Sequence, residues 1–274
     1  MGVIKIGIVG GTGMQELDLF ALKEEKRVTT PYGPPSSALS CGTFCGVECV
    51  LINRHGDGHR VMPTSINYRA NVYALKEEGC SHVIATTACG SLKEEIVPGH
   101  FVIIDQFIDR TTKRQSTFYD GQPGSLNGIC HIPMKQPFCE KLRNILVASC
   151  IQENITCHAS GTTVTLEGPR FSSYAESHLF RSWGASVVNM TTVPEVILAN
   201  EMGLLYAAVA MVTDYDCWRD DHESVSVENV LKVMNENREK AIKILCACVK
   251  MAAEQEWDVE VNDAKQVAQS SVML

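Results

Sequence analysis

The sequence predicts an α/β fold, in which a mostly parallel sheet is packed between helices. Six apolar runs have the composition of buried strands, and most end in glycine, hydroxyl or charged residues. These runs occupy residues 5–9, 49–53, 82–86, 101–106, 186–190 and 204–213. Segments with helical spacing of apolar residues lie between and after them, at 66–78, 137–152, 175–183 and 225–256.

The length and composition predict a single domain. A chain of 274 residues that is 45% apolar can bury one large core, and no shift in composition marks a domain boundary. We therefore expect one domain over residues 1–274, with a C-terminal helix at about 225–257 and a tail after it.

The charge and hydropathy patterns exclude several classes of protein. A net charge of −8 without any basic run argues against a nucleic-acid-binding surface. No apolar run approaches the roughly 20 residues that span a bilayer, and the N-terminal residues have a strand pattern, not a signal-peptide pattern. The expected partners are small molecules or proteins, with no nucleic acid and no membrane. The expected location is the cytoplasm, with the nucleus as a second compartment.

The twelve cysteines do not have the spacing of a metal site or a disulfide framework. No Cys-x-x-Cys pair occurs, and Cys41, Cys45 and Cys49 have no histidine pair nearby at the spacing of a structural zinc site. We expect most of the cysteines to be reduced and buried as small apolar residues, and we expect no metal and no cofactor.

A glycine-rich loop, Gly10-Gly11-Thr12-Gly13, follows the first strand. The glycine spacing differs from the dinucleotide-binding fingerprint, and no lysine follows as in a nucleotide-binding P-loop. The backbone N–H groups and the Thr12 hydroxyl can face an anion. The alternative interpretation is an ordinary tight turn.

Three other strands end in residues that bind anions. Arg54 follows the second strand, Thr87 follows the third, and Thr191 follows the run at 186–190. Because the carboxyl ends of parallel strands meet at one edge of a sheet, these side chains and Thr12 are predicted to form a phosphate-sized anion site. The alternative for Thr191 and its neighbour Thr192 is that they only cap the next helix.

The same edge of the sheet provides candidates for binding an organic substrate. Asn189 and Met190 precede Thr191 and are expected to face a crevice. The segment 108–137 has few periodic apolar residues and includes His131, so it is predicted to be a lid or an interface loop.

Two acidic residues, Asp214 and Asp216, follow the long apolar run at 204–213. They can be metal ligands, a helix cap or acid–base groups, and the lack of other clustered acids disfavours a metal. The helix after them has an apolar stripe that includes Val227, Val230 and Leu231, which usually indicates core but here lies close enough to wall a pocket.

Seven motifs in this order make the chain similar to the methylthioadenosine phosphorylases, trimeric members of the purine nucleoside phosphorylase superfamily. The motifs are GIVGGTG at 7–13, NRHG at 53–56, TTACGSL at 86–92, IDQFIDRT at 104–111, EGPRFSS at 167–173, NMTTVPE at 189–195 and TDYDCW at 213–218. The resemblance covers nearly the whole chain and implies a single α/β domain around a twisted, partly closed mixed β-sheet flanked by helices, the nucleoside phosphorylase fold.

The resemblance also implies a role for individual residues. The phosphate site matches Thr12, Arg54, His55, Thr87, Ala88 and Thr191. The nucleoside site matches Phe171, Ser172, Asn189, Met190, Asp214, Asp216, Val227, Val230 and Leu231. In this family His131 and the C-terminal tail near Met273 reach the site of a neighbouring subunit.

The implied reaction is the phosphorolysis of 5′-methylthioadenosine, with phosphate as a co-substrate. Asp214 would be the acid that protonates N7 of adenine, because burial and a second carboxyl raise the pKa of such a group. Relatives that act on 6-oxopurines carry Glu where this chain has Ser172 and Asn where it has Asp214, and relatives that act on 5′-hydroxyl nucleosides carry His where it has Val227. The alternatives are wider use of 6-aminopurine nucleosides including adenosine, hydrolysis of methylthioadenosine, and a nucleoside-binding protein without catalysis.

Overall fold

The computed structural model describes residues 4–11, 19–221 and 225–274. Within these residues the strands are β1 (Ile6–Gly10), β2 (Phe20–Lys26), β3 (Leu39–Phe44), β4 (Val47–Asn53), β5 (His82–Ser91), β6 (Phe101–Ile103), β7 (Gln106–Arg110), β8 (Ile129–Cys130), β9 (Cys157–His158), β10 (Thr162–Leu166), β11 (Val187–Asn189), β12 (Leu205–Asp214) and β13 (Val272–Met273). The helices are α1 (Tyr68–Glu77), α2 (Glu140–Gln152), α3 (Tyr174–Ser182), α4 (Thr192–Glu201), α5 (Val227–Ala253) and α6 (Asp258–Ser270), with a short 3-10 helix at Pro63–Ser65.

A mixed sheet of eleven strands forms the centre of the described fold. Its main path runs β2-β3-β4-β1-β5-β11-β10-β7. The long strand β5 pairs in parallel with β1 over its first half and antiparallel with β11 near its end, and it pairs in parallel with β12 along its other edge. A second sheet contains only β8 and β13. The prediction of an α/β fold with a mixed sheet is confirmed.

Helices cover both faces of the central strands, which explains their almost continuous apolar character. On one face Val9 and Ile52 join the core that α1 and α4 complete. On the other face Ile6 and Ile8 pack in a core with residues of α2 and α5. Residues that alternate along β1 therefore reach two separate cores.

The structure corrects several predicted boundaries. Strand β5 continues to Ser91, so Thr87 lies inside a strand and not after it. Pairing of β1 with β5 stops at Ala85, so Thr87 still lies level with the loop that follows β1. The predicted tail contains helix α6 and strand β13. Strand β2 has an exposed, charged sequence, so apolar periodicity could not reveal it.

The prediction that most of the cysteines are reduced is confirmed, and one pair is the exception. A disulfide joins Cys45, in the turn between β3 and β4, to Cys246 on α5. The two residues are separated by 201 positions in the sequence, so spacing alone could not pair them. The other ten cysteines are free thiols. Among the helices that the structure describes, none has both the length and the apolar character needed to cross a membrane.

Candidate active site

A cavity of about 860 Å³ opens at the carboxyl edge of the central strands. Of the sixteen residues predicted for the site, fourteen line this cavity. They are Arg54, His55, Thr87, Ala88, Phe171, Ser172, Asn189, Met190, Thr191, Asp214, Asp216, Val227, Val230 and Leu231. Thr12 lies outside the described residues, and His131 does not line the cavity.

One end of the cavity has the hydroxyl groups expected for an anion site. The Thr87 and Thr191 hydroxyl oxygens lie 3.3 Å apart, although one is on β5 and the other precedes α4. The backbone N–H of Gly11 donates to the Thr86 hydroxyl, 3.0 Å away, which fixes the start of the glycine-rich loop beside them. The Thr191 side chain makes no capping hydrogen bond to α4, so the alternative that it only caps this helix is not supported.

Arg54 contributes a buried guanidinium whose main partner was not predicted. Its Nε and Nη2 atoms donate to the two carboxylate oxygens of Glu195, at 2.7 and 2.8 Å, and Nη1 donates to the Thr86 carbonyl oxygen at 2.8 Å. Tyr206 also donates to Glu195. The Nε and Nη2 donors of Arg54, which could bind an anion through two hydrogen bonds, are therefore occupied by the Glu195 carboxylate. Two of the five N–H groups of this guanidinium remain for a bound anion.

His55 lies next to Arg54 and is neutral. Burial and the charge of Arg54 lower the pKa of His55 to about 3. The Nδ1 atom lies 2.9 Å from the Val61 carbonyl oxygen, which can only accept a hydrogen bond. Nδ1 therefore carries the proton, and Nε2 has a free electron pair. Because Arg54 and Glu195 also neutralise each other, this end of the cavity presents mainly hydrogen-bond dipoles and little net charge.

The other end of the cavity contains the two acids. Asp214 is the last residue of β12, and one of its oxygens accepts a hydrogen bond from the Asp216 backbone N–H at 2.7 Å. Its other oxygen accepts one from the Thr213 hydroxyl at 2.6 Å. A side chain at Gly90 would place its Cβ 2.9 Å from the first oxygen, so only glycine lets β5 approach the acid so closely.

Burial gives both acids the electrostatics of proton donors or strong acceptors. Burial raises the pKa of Asp214 to about 6, and the charge of Asp216 acts in the same direction, against the two hydrogen bonds. Burial also raises the pKa of Asp216, while the nearby hydroxyls of Ser177 and Ser172 lower it. A carboxyl whose pKa is raised to near neutral pH is suited to general acid catalysis.

The apolar wall of the cavity is incomplete. Val227 is 63% exposed and Leu231 is 44% exposed, although both line the cavity. Phe171 is 38% exposed at the mouth. His131 directly follows β8, and Met273 lies on β13 with a side chain that is 63% exposed. Both therefore lie at the small second sheet, and neither lines this cavity.

Arg114 is a further residue of the site region that sequence reasoning did not identify. Its guanidinium donates to the carbonyl oxygens of Met190 and Val193 at 2.6 and 2.7 Å, and to that of Glu167 at 2.6 Å. It also pairs with the Glu167 carboxylate, and its side chain is only 1% exposed. Arg114 thus fixes the loop 108–137 to the segments that carry Met190 and Phe171. The loop was predicted, but its sequence does not say which charged residue turns inward.

No group of three or more His, Cys, Asp or Glu side chains in the described part of the chain could hold a metal ion. The remaining Arg54 N–H groups and the Thr87 and Thr191 hydroxyls are instead donors of the kind that binds a free oxyanion.

Comparison with known proteins identifies the family. Residues 5–250 match the model of the Phosphorylase superfamily. The chain is 61% identical to S-methyl-5′-thioadenosine phosphorylase of Ciona intestinalis over 270 residues, which cover 98% of this chain and 96% of that protein. It is 57% identical to the protein of the same name from Danio rerio, over 99% of this chain and 97% of that one.

Solved structures agree with these relatives. Methylthioadenosine phosphorylase from Schistosoma mansoni in complex with adenine superposes with a TM-score of 0.96 at 42% identity, covering 98% of this chain and 99% of that chain. A substituted form of adenosine/methylthioadenosine phosphorylase from the same organism, in complex with methylthioadenosine, has a TM-score of 0.95 at 42% identity over the same shares of the two chains. This chain therefore belongs to the Phosphorylase superfamily and, within it, to the S-methyl-5′-thioadenosine phosphorylases.

Proposed function

We propose that this protein catalyses the reversible phosphorolysis of 5′-methylthioadenosine to adenine and 5-methylthioribose 1-phosphate. The observation that carries the proposal is a buried acid, Asp214, and a set of oxyanion donors at opposite ends of one cavity. The relatives bear the name of this activity, and Schistosoma mansoni neighbours were solved with adenine and with methylthioadenosine. The proposed reaction uses phosphate as a co-substrate and no cofactor.

Phosphorolysis requires that two opposite charges be stabilised in one transition state. Positive charge develops on the ribose as its bond to the purine breaks, and negative charge develops on the purine. Phosphate held near Arg54, Thr87 and Thr191 stabilises the ribose and attacks it from the side opposite the base. Asp214 neutralises the purine by donating its proton to N7. Attack from the opposite face inverts the anomeric carbon.

The hydroxyl pair leads to a prediction about phosphate. We expect Thr87→Val to raise the KM for phosphate by about 10- to 100-fold, because a hydrogen bond to a charged acceptor is worth about 1.5–3 kcal/mol. The KM for the nucleoside should change little. Initial rates at varied phosphate test this, with Thr163→Val, a buried threonine on β10 outside the cavity, as the control. An unchanged phosphate KM would mean that Thr87 does not contact the anion.

The second acid selects the base. Asp216 is buried beside Ser172 and Ser177 and lines the cavity, so its carboxylate can accept a hydrogen bond from the 6-amino group of adenine. A 6-oxopurine would present an oxygen at the same point and meet repulsion. Ser172 has no charge that would compensate for this repulsion. We therefore propose 6-aminopurine nucleosides as the substrate class.

The apolar wall selects the 5′ substituent and leads to a prediction. Val227 offers no partner to a 5′-hydroxyl, and an unsatisfied hydroxyl costs about 1–3 kcal/mol. We expect Val227→His to raise the kcat/KM for adenosine relative to methylthioadenosine by about tenfold or more. Val259→His, at an exposed valine on α6, is the control. An unchanged ratio would show that Val227 does not face the 5′ position.

Use of adenosine is a second candidate activity. One of the solved relatives is named adenosine/methylthioadenosine phosphorylase. The ratio of kcat/KM for adenosine to kcat/KM for methylthioadenosine in the unsubstituted protein measures how well adenosine is used.

We also propose that the active form is a homotrimer whose subunits complete one another's sites. Val227 and Leu231 are exposed on the cavity wall, while Met273 and Ile129 are exposed on the small sheet beside His131. Burial of one apolar surface against the other would remove both from water. The family resemblance supports three subunits. Sedimentation velocity should give three times the 30.1 kDa chain, and an active species of 30.1 kDa would contradict the proposal.

We propose that the reaction serves purine and methionine salvage, because both products are precursors for resynthesis, and that it takes place in the cytoplasm. The deciding experiment is incubation with methylthioadenosine with and without phosphate, followed by chromatography of adenine and the sugar phosphate. Adenine released only with phosphate, and no base released from inosine, is the expected result. Equal release without phosphate would make the protein a hydrolase. No release under either condition would favour nucleoside binding without catalysis.

A further inference from the structure

The last residues of β12 depart from regular strand geometry at the point where the acid lies. Val212 pairs with Cys89 and Asp214 pairs with Gly90, so Thr213 is an extra residue in β12. Such a β-bulge re-aims the side chains beside it. In a regular strand the Thr213 and Asp214 side chains would point to opposite faces, whereas here their oxygens are 2.6 Å apart.

The Thr213 hydroxyl has two acceptors but only one proton. Its oxygen lies 2.6 Å from Oδ2 of Asp214 and 3.2 Å from the carbonyl oxygen of Cys89. Oδ1 of Asp214 already accepts a hydrogen bond from the Asp216 backbone N–H. A carboxyl proton is therefore favoured on Oδ2, which is the oxygen that faces Thr213. Thr213 is 4% exposed, so water does not compete freely for these bonds.

We propose that Thr213 is a positioning residue that holds the proton of Asp214 before catalysis and stabilises the carboxylate after it. When Asp214 is protonated, the Thr213 hydroxyl donates to Cys89 and accepts from the carboxyl group. When the carbon–nitrogen bond of the nucleoside breaks, its electron pair stays on the purine and the Asp214 proton binds N7. The Thr213 hydroxyl then turns and donates to the carboxylate, and Asp214 regains a proton from solvent before the next turnover.

Among the groups that surround Asp214, Thr213 is the partner whose hydrogen bond can change with the protonation state of the Asp214 carboxyl. The titratable groups that face Asp214 are Asp216 and Cys217 on its own loop and Cys89 on β5. Burial raises the pKa of Cys217 to about 11 and the pKa of Cys89 well above its ordinary value, so both thiols are neutral. The negative charge of the Asp216 side chain disfavours the ionised form of Asp214. The carboxylate formed in the reaction therefore depends on Thr213 and the Asp216 backbone N–H.

This inference rests on the proposed phosphorolysis, and its test separates the two. We expect Thr213→Val to lower kcat for methylthioadenosine at acid pH by about tenfold, because the carboxylate produced loses a hydrogen bond. The same loss makes the ionised form harder to reach, so the alkaline limb of the kcat profile should move up by about one pH unit. Thr213→Ser should retain both properties of the unsubstituted protein.

A purely structural role of Thr213 would lower kcat without moving the alkaline limb of the kcat profile. An alkaline limb that does not move in Thr213→Val would therefore overturn the proposal. The same conclusion would follow if Thr213→Val matched Thr213→Ser in both properties. Thr213→Ala should give the same shift as Thr213→Val and serves if the valine variant does not fold. Thr163→Val is the control for loss of a buried threonine hydroxyl and should change neither property. Absence of turnover in the unsubstituted protein would instead contradict the proposed function.

Discussion

Asp214→Ala should lose about 10²- to 10⁴-fold in kcat for methylthioadenosine, the range that a positioned general acid contributes. The variant keeps Arg54, Thr87 and Thr191 at the other end of the cavity, so the KM for phosphate should remain nearly unchanged. Alanine also fits beside Gly90, because the carboxylate that approaches β5 is removed. The measurement is kcat and both KM values with purified protein.

Asp220→Ala is the matched control for this substitution. Asp220 is an exposed acid six residues further along the chain and does not line the cavity, so its loss should change kcat by less than about twofold. A variant at Asp214 that retained a tenth or more of the turnover would remove this residue as the acid. The proton would then have to come from Asp216 or from water.

The pH dependence of the unsubstituted protein provides a second observation on Asp214. The pKa of this carboxyl in the free protein is raised to about 6. The reaction requires the protonated acid, which predominates below that pH and is lost above it. The kcat/KM for the nucleoside should therefore fall as the pH rises through about 6 and beyond, in the direction opposite to that of a general base. Asp214→Ala should lack this limb.

The sequence predicted the elements of the fold that have strong apolar periodicity, and it missed those that lack it. The runs that became β1, β4, β5 and β12 are buried on both faces, so composition alone identified them. Strand β2 is charged and exposed, so its own sequence does not predict a strand, and its antiparallel pairing with β3 holds it in the extended conformation. Helix α6 was missed because its apolar stripe is narrow and only Ala268 is buried.

The residues of the candidate site also fall into a group that the sequence could predict and a group that it could not. Residues at the carboxyl edge of the sheet, such as Thr87 and Asp214, could be predicted because the topology brings the ends of neighbouring strands to this edge. Glu195, Thr213 and Arg114 could not, since their roles depend on which polar side chain turns inward and meets another. A buried arginine requires a buried acid. The sequence offers 32 acidic residues, and no spacing rule selects Glu195 among them.

The Arg54–Glu195 pair leads to the last prediction, which concerns stability and phosphate together. Both side chains are 1% exposed, so neither charge has access to bulk water. Removal of one partner of a buried ion pair typically costs about 3–5 kcal/mol, because the other charge stays buried without compensation. Glu195→Gln keeps the shape of the side chain, removes its charge and replaces one of its two acceptor oxygens with an NH2 donor. We therefore expect the phosphate-free variant to be less stable than the unsubstituted protein by about this amount.

Phosphate should reverse part of this loss in Glu195→Gln, because a bound dianion replaces the missing negative charge beside Arg54. A ligand that binds only the folded state stabilises it by an amount that grows with its affinity. Phosphate should consequently raise the melting temperature of the variant by more than that of the unsubstituted protein, in scans over a phosphate series. Glu176→Gln is the matched control, since Glu176 pairs with Arg170 through the same two-oxygen geometry on the exposed surface. That variant should lose at most about 1 kcal/mol and gain nothing extra from phosphate. Equal responses of the two variants would mean that Glu195 does not set the charge of the anion site.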